Sequence, residues 1–279
     1  LADALADDVA GMPGGAPVNG RTPAPYVLHH MRRDLHCSQL VDEVLLVLAR
    51  DPRAVEVART GLVYCAKHGF SYYHAEHRLL LHASSAEVNQ AWSEHAGPVQ
   101  EAWEALRATG ADLGDTCARF WVALAHARSG SEHEAFKRLS ECLEVVATND
   151  EHWCEPELYR LLGELVLQTG RVPPEFVTNY ALPASAPRCA EASFVRALEL
   201  ARGMGAKSLE LRAALSLARW WQTRGKVREA HAMLREVHAW FTEGFGTPDL
   251  MEASQLLREL VAELGEVPVA GQRLQPSAQ

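Results

Sequence analysis

The stretch from Lys207 to Phe241, KSLELRAALSLARWWQTRGKVREAHAMLREVHAWF, constrains this chain more than any other. Leu211, Ala214, Leu217, Ala218 and Trp221 recur at helical spacing on one face, and Ala230, Leu234 and Val237 do the same after a break at Gly225. Small residues (Ala218, Ala230) stand where two backbones must approach closely, with large ones beside them. Glycine takes positive φ without a Cβ penalty, so Gly225 ends the first helix at little cost. The stretch reads as two antiparallel helices joined by a tight turn. One such hairpin cannot bury its own apolar face and needs neighbours of the same kind.

Copies are present. Val122, Ala123, Gly130, Ala135, Leu139 and Cys142 fall at the same offsets as Leu217, Ala218, Gly225, Ala230, Leu234 and Val237, which predicts a hairpin over 115–129 and 132–148. Tyr159, Leu162 and Gly163 with a stop at Gly170 predict another first helix over 155–169. Its partner resumes near Arg188, where Ala190, Phe194 and Ala197 restore the pattern. Between them RVPPEFVTNYALPASAP, with four prolines, is an insertion over 171–187, long for a helix–helix connection. Nearer the start, 27–50 carries a stripe of Leu35, Leu40, Val44, Leu45 and Leu48, and 52–68 repeats small residues at Ala54, Ala58 and Gly61. A long helix is expected over 71–93, broken by Gly97-Pro98, and a shorter one over 98–109. Thr247-Pro248-Asp249 opens a last helix to Leu264, whose Glu252, Arg258, Glu259 and Glu263 suit the polar outer face of a cap. Residues 1–25, with four Gly and four Pro in 11–25, read as a flexible segment and linker, and 265–279 as a disordered tail.

No strand-like alternation occurs at any length. The expected architecture over 26–264 is all-α: a right-handed α-solenoid of tetratricopeptide-like hairpins, about five pairs plus a C-terminal capping helix.

Composition narrows the function. A net charge of −9 over 279 residues, with no basic run, disfavours nucleic acid, and no apolar run reaches membrane-spanning length. The chain begins with Leu1, as a processed chain or a piece of something longer would. Cys37, Cys65, Cys117, Cys142, Cys154 and Cys189 form no C-x-x-C and sit mostly among apolar helical residues, so they read as small reduced core residues of a cytoplasmic protein. No G-x4-G-K-[ST], G-x-S-x-G or H-E-x-x-H motif occurs, so neither a cofactor nor catalysis is expected. Eight of the thirteen histidines precede residue 100. His74 and His77 have the i,i+3 spacing that can clamp a metal, and His29, His30, His36 and Cys37 form a second cluster, with Cys65 and His68 a third. A metal-dependent enzyme on this half is the least favoured reading. Solvated or hydrogen-bonded helix residues explain these histidines more simply. The tryptophans fall mostly at core offsets, with Trp121 and Trp221 packing between repeats and Trp220 partly exposed.

A solenoid of this kind binds through the groove lined by its first helices. The groove-facing offsets are Arg212, Leu215, Arg219 and Gln222 in the opening hairpin, and Glu157, Arg160, Glu164 and Leu167 in the repeat before it. One repeat further back they are Cys117, Phe120, Leu124 and Ala127. Arg212 and Arg219 have the chemistry to hold a partner carboxylate by forked hydrogen bonds, although simple surface charge reads equally well.

Residues 190–250 resemble the helical repeat region that ends large bacterial multidomain signalling ATPases, in which a class III adenylate/guanylate cyclase or DNA-binding domain precedes an ATPase module. The segments Ala206–Leu217 and Trp240–Leu250 carry most of the likeness. EALRATGADLG and EPELYRLLGEL extend it over 98–170, while 27–97 match loosely and 1–26 not at all. The resemblance implies a regulatory, protein- or peptide-binding region attached to an upstream ATPase or cyclase module. Neither module is in this sequence, so a stand-alone accessory or chaperone-like protein is the alternative.

Overall fold

The computed structural model describes residues 50–110, 115–149 and 151–265. All belong to one compact unit, Glu43–Gln279. The linker and first helix read over 1–49, the cluster around His29 and Cys37, and the tail beyond Gly265 lie outside the described residues.

Every regular element described is helical: α1 (Arg53–His68), α2 (Ser71–Asn89), α3 (Trp92–Ala108), α4 (Asp115–Arg128), α5 (Glu132–Asn149), α6 (Glu155–Thr169), α7 (Pro174–Asn179), α8 (Ala186–Gly203), α9 (Lys207–Thr223), α10 (Val227–His238) and α11 (Pro248–Glu263). They pack in sequence-adjacent pairs: α2 with α3, α4 with α5, α6 with α8, and α9 with α10. The first helices also touch in a row, α2 to α4, α4 to α6, α6 to α9 and α9 to α11, and the candidate site lies along it.

The turns follow from local chemistry. At the end of α9 the Gly225 N–H bonds the Gln222 carbonyl and the Lys226 N–H reaches back to Trp221, both at 2.9–3.0 Å. This closure satisfies carbonyls that the helix end leaves open, and it needs Gly225 at φ 73°. The same pair of bonds recurs after α4, around Gly130, and after α8, around Gly205.

The Gly97-Pro98 break is not where the chain turns. Pro98 lies inside α3, and the turn falls at Gln90, held left-handed at φ 54° with the Ala91 N–H bonded to the Ala86 carbonyl. A proline in a helix interior costs about 3 kcal/mol. Burial of Trp92, Val99, Ala102, Trp103 and Leu106 on one face of α3 outweighs it.

Packing between paired helices explains an irregularity in the repeat. Phe194 of α8 stands where the other two pairs carry Leu139 and Leu234, and Gly163 of α6 stands where they carry Ala123 and Ala218. A Cβ on Gly163 would lie 2.5 Å from the Phe194 ring, so the larger residue on one helix requires the missing side chain on the other.

The 171–187 insertion carries the short helix α7. Its Phe176 is fully buried, with its ring 6.0 Å from Phe136 of α5, and Tyr180 donates to the Ser140 carbonyl at 3.4 Å. The insertion is thereby pinned to α5 and leaves α8 free to pack on α6.

Trp92, Trp103 and Trp121 are buried, and Trp221 donates from α9 to Glu191 of α8 at 2.8 Å. Trp220 is half-exposed. Trp153 and Trp240 depart from the core reading and are exposed. Among the described residues no helix is long and apolar enough to cross a membrane.

Candidate functional site

Glu157, Arg160 and Glu164 stand at i, i+3 and i+7 of α6, which puts them on one helix face. Arg160 grips Glu157 with two parallel bonds, Nε to Oε1 at 3.0 Å and Nη2 to Oε2 at 2.8 Å, and its Nη1 bonds Glu164. From α9, Arg212 Nη2 reaches Glu157 Oε2 at 3.0 Å. From α4, Arg128 Nη2 reaches Glu164 Oε2 at 2.9 Å. Three of the first helices are thus tied together by one ionic knot.

The centre of the knot is dry. The Glu157 side chain is 1 % exposed and that of Arg160 6 %. Burial opposes the Glu157 charge, but Arg160 and Arg212 beside it prevail and hold its carboxyl down at about 2. Arg160, though desolvated, is held charged by Glu157 and Glu164.

The edge of the knot is wet. Arg219 of α9 meets Glu252 of α11 at 3.0 Å with its side chain 54 % exposed. Gln222, half-exposed, bonds Glu263. Glu252 and Asp249 also receive Arg50, at 2.8 and 2.5 Å, a link between residues 199 apart in sequence. Burial again opposes the Glu252 charge, and Arg50 and Arg219 hold its carboxyl below the usual range. Glu252 therefore faces the knot rather than the polar outside expected of a capping helix, while Arg258, Glu259 and Glu263 are exposed as a cap requires.

The groove residues read from sequence fall into three groups. Glu157, Arg160, Glu164 and Arg212 are brought together, with their charges spent largely on one another. Arg219 and Gln222 sit at the edge, in reach of solvent. Phe120 is a correction: it is 0 % exposed, with its ring 5.0 Å from Trp121, and belongs to the core. Helix α4 is buried on nearly every side, so its apolar residues carried no periodic signal for one face. Leu215 is likewise buried and Leu167 partly exposed.

Arg50, Arg128 and Asp249 belong to the knot and were not read from the sequence. Charge patterning along single helices does not show a partner on another helix. A small pocket of about 10 Å³ lies at the knot, lined by Arg50, Glu87, Trp121, Arg128, Arg160 and Arg212 together with Leu124. That is room for about one water-sized occupant, so the middle of the face is filled rather than open. A larger cleft of about 610 Å³ lies between the start of α5 and the insertion, walled by Glu132, His133, Phe136, Lys137, Arg171 and Pro173 among others. Its size is that of small-molecule sites, and its walls carry both signs of charge.

The histidine pair is placed apart from this face. The His77 ring is fully buried against Gly61 of α1, where an added Cβ would lie 2.4 Å from it, and burial pulls its pKa down to about 4. His74, one turn away, is half-buried. His82 and His95 meet across α2 and α3, Nδ1 to Nδ1 at 3.2 Å, a pair that the sequence reading did not single out. Among the described residues no group of three His, Cys, Asp or Glu side chains is arranged to hold a metal ion. Cys65, Cys117, Cys142, Cys154 and Cys189 are all buried. The Cys142 and Cys189 thiols are pushed up by burial, and Cys154 by its hydrogen bond with Cys117 and by burial.

A scan against models of known protein families matches none, and a search of curated proteins also returns no match.

Proposed function

We propose that this chain is a non-catalytic scaffold that binds a protein or peptide. In this reading the helix pairs form a right-handed, tetratricopeptide-like α-solenoid, and the chain is the cytoplasmic regulatory region of a signalling ATPase or cyclase module encoded upstream. The observation that carries the binding reading is the contrast within the ionic face. Buried pairs hold the first helices in place, while Arg128 and Arg219 stay in reach of solvent, paired only with Glu164 and Glu252. Solvent-exposed ion pairs are worth at most about 1 kcal/mol, so an acidic partner segment exchanges with Glu164 or Glu252 at little cost. Arg128 and Arg219 are the arginines of this face that an acidic partner could reach, because the others are held by buried carboxylates.

Arg212 is the wrong residue to test, because its guanidinium is committed to the buried Glu157. The test is Arg128→Glu with Arg219→Glu. Loss of a partner captured by the wild-type chain, with unchanged circular dichroism, supports the reading. Equal capture by both proteins removes this face from consideration. A reading frame that continues upstream of Leu1 into an ATPase or cyclase supports the regulatory assignment, and one that does not favours a stand-alone accessory protein.

A further inference from the structure

The α2–α3 hairpin carries two like titratable groups in direct contact. Three polar ties cross it at successive levels. Nearest the turn, Trp92 Nε1 donates to Glu87 Oε2 at 3.2 Å. Next, the Nδ1 atoms of His82 and His95 meet at 3.2 Å, with ring centroids 5.5 Å apart and planes tilted by 46°. Farthest from the turn, Arg78 Nη2 donates to Glu101 Oε2 at 2.8 Å. The middle tie alone is made of two histidines, the side chain that ordinarily changes charge near pH 6.5.

Two Nδ1 atoms in contact hold together only when one ring donates an N–H and the other accepts it. Two neutral rings meet that condition. One neutral and one charged ring meet it too, because the neutral ring still offers a lone pair. With both rings charged, each Nδ1 bears a hydrogen, and two positive N–H groups face each other with no acceptor between them. The surroundings do not compensate. Among the described residues on the helices packed against α2, only Glu101 of α3 draws His82 toward its charged form, and Arg78 of α2 opposes it. Those two are paired with each other. Burial, then His95 and Arg78, hold the His82 pKa below its ordinary 6.5.

We propose that His82 and His95 form a pH-sensitive latch across the α2–α3 hairpin, closed while the pair holds no more than one extra proton and open once acid supplies the second. The unfolded chain binds both protons as pH falls below about 6.5, whereas the folded pair resists the second. The latch therefore stabilises fully above that pH, and its contribution is lost as pH falls through the lower step of the pair. The inference stands on this hairpin and does not depend on whether a partner binds the ionic face.

The test follows the His82 ring by NMR in the whole chain, its signals assigned by their loss in His82→Gln. The comparison is with His95→Gln, which keeps a hydrogen-bonding side chain that never gains charge. In the wild type the pair is expected to titrate in two separated steps, with His82 in the lower one. In His95→Gln that lower step should vanish, and His82 should bind its proton about tenfold more tightly. A ring that is merely buried would not respond to its neighbour in this way. Between about pH 7 and pH 5 the wild-type Tm should also fall about 2–4 °C further than that of His95→Gln, since His77 contributes equally to both. If His95→Gln fails to fold, His95→Asn takes its place, and the wild-type titration still decides the number of steps. A single shared step in the wild type, a His82 titration unmoved by the substitution, or equal losses of Tm would overturn the proposal.

Discussion

Two groups of arginine–glutamate pairs, one within α6 and one between α9 and α11, show what burial does to identical chemistry. At the centre, Arg160 and Glu157 are almost wholly removed from water. At the edge, Arg219 and Glu252 meet at a similar distance with Arg219 more than half exposed. The central pair had to recover the hydration energy of both charges, and does so through a two-bond fork and a second arginine, Arg212. The edge pair had less to recover: Arg219 keeps more than half of its exposure, and Glu252, which burial does penalise, is held by Arg50 as well. One group is built into the fold, and the other is available for exchange.

The sharpest way to break this comparison is to remove one member of the central pair. Arg160→Ala leaves Glu157 charged and buried, and should lower the unfolding free energy by about 3–5 kcal/mol in urea titration. A loss under about 1 kcal/mol would mean that the centre behaves like the edge.

Acid tests the same point without mutation. The folded Glu157 takes a proton only near pH 2, and the unfolded one near its ordinary value of 4.5. Its contribution is therefore complete above pH 4.5 and disappears as pH falls towards 2, on the order of 3 kcal/mol over that window. His77 produces an earlier decline. Its pKa is about 4 folded against 6.5 unfolded, so the unfolded chain binds a proton first and stability falls from pH 6.5 to 4. Urea midpoints measured against pH should show two legs, and Glu157→Gln should flatten the lower one. A single leg ending at pH 4 would refute the assignment to Glu157.

A smaller effect extends the lesson to apolar packing. Gly163→Ala should cost about 1–3 kcal/mol despite alanine's better helix propensity, because the new Cβ meets the buried Phe194 ring at 2.5 Å. Adding Phe194→Leu recreates the Ala–Leu pairing of the neighbouring pairs and should recover most of the loss. A double variant no better than the sum of the singles would show that the two residues are not a matched pair. The smallest expected effect is at the edge, where Arg219→Ala should change stability by less than about 1 kcal/mol.

Much of the local structure was legible in the residues. Period and small-residue spacing identified the hairpins at 115–148 and 207–241, and Gly225 closes its helix as its residue type suggests. Across the insertion, the Ala190, Phe194 and Ala197 pattern correctly paired α8 with α6. Less was legible at the site. Spacing brought Glu157, Arg160, Glu164 and Arg212 to one face. It did not show that Glu157 and Arg160 would be buried, that Arg50 would cross to Asp249, or that Phe120 would belong to the core. Pro98 misled for a related reason, since the breaker's cost was real and the burial that outweighed it comes from packing the apolar face of α3 against other helices.

By itself the sequence determined most of the helical segments described, where most of them turn and which neighbours pair, because these depend on interactions a few residues apart. Only the tertiary structure decided which charges lost their water and which kept it. That outcome depends on how many other helices cover a position, and burial changes the energy of a charge by several kcal/mol without changing the residue.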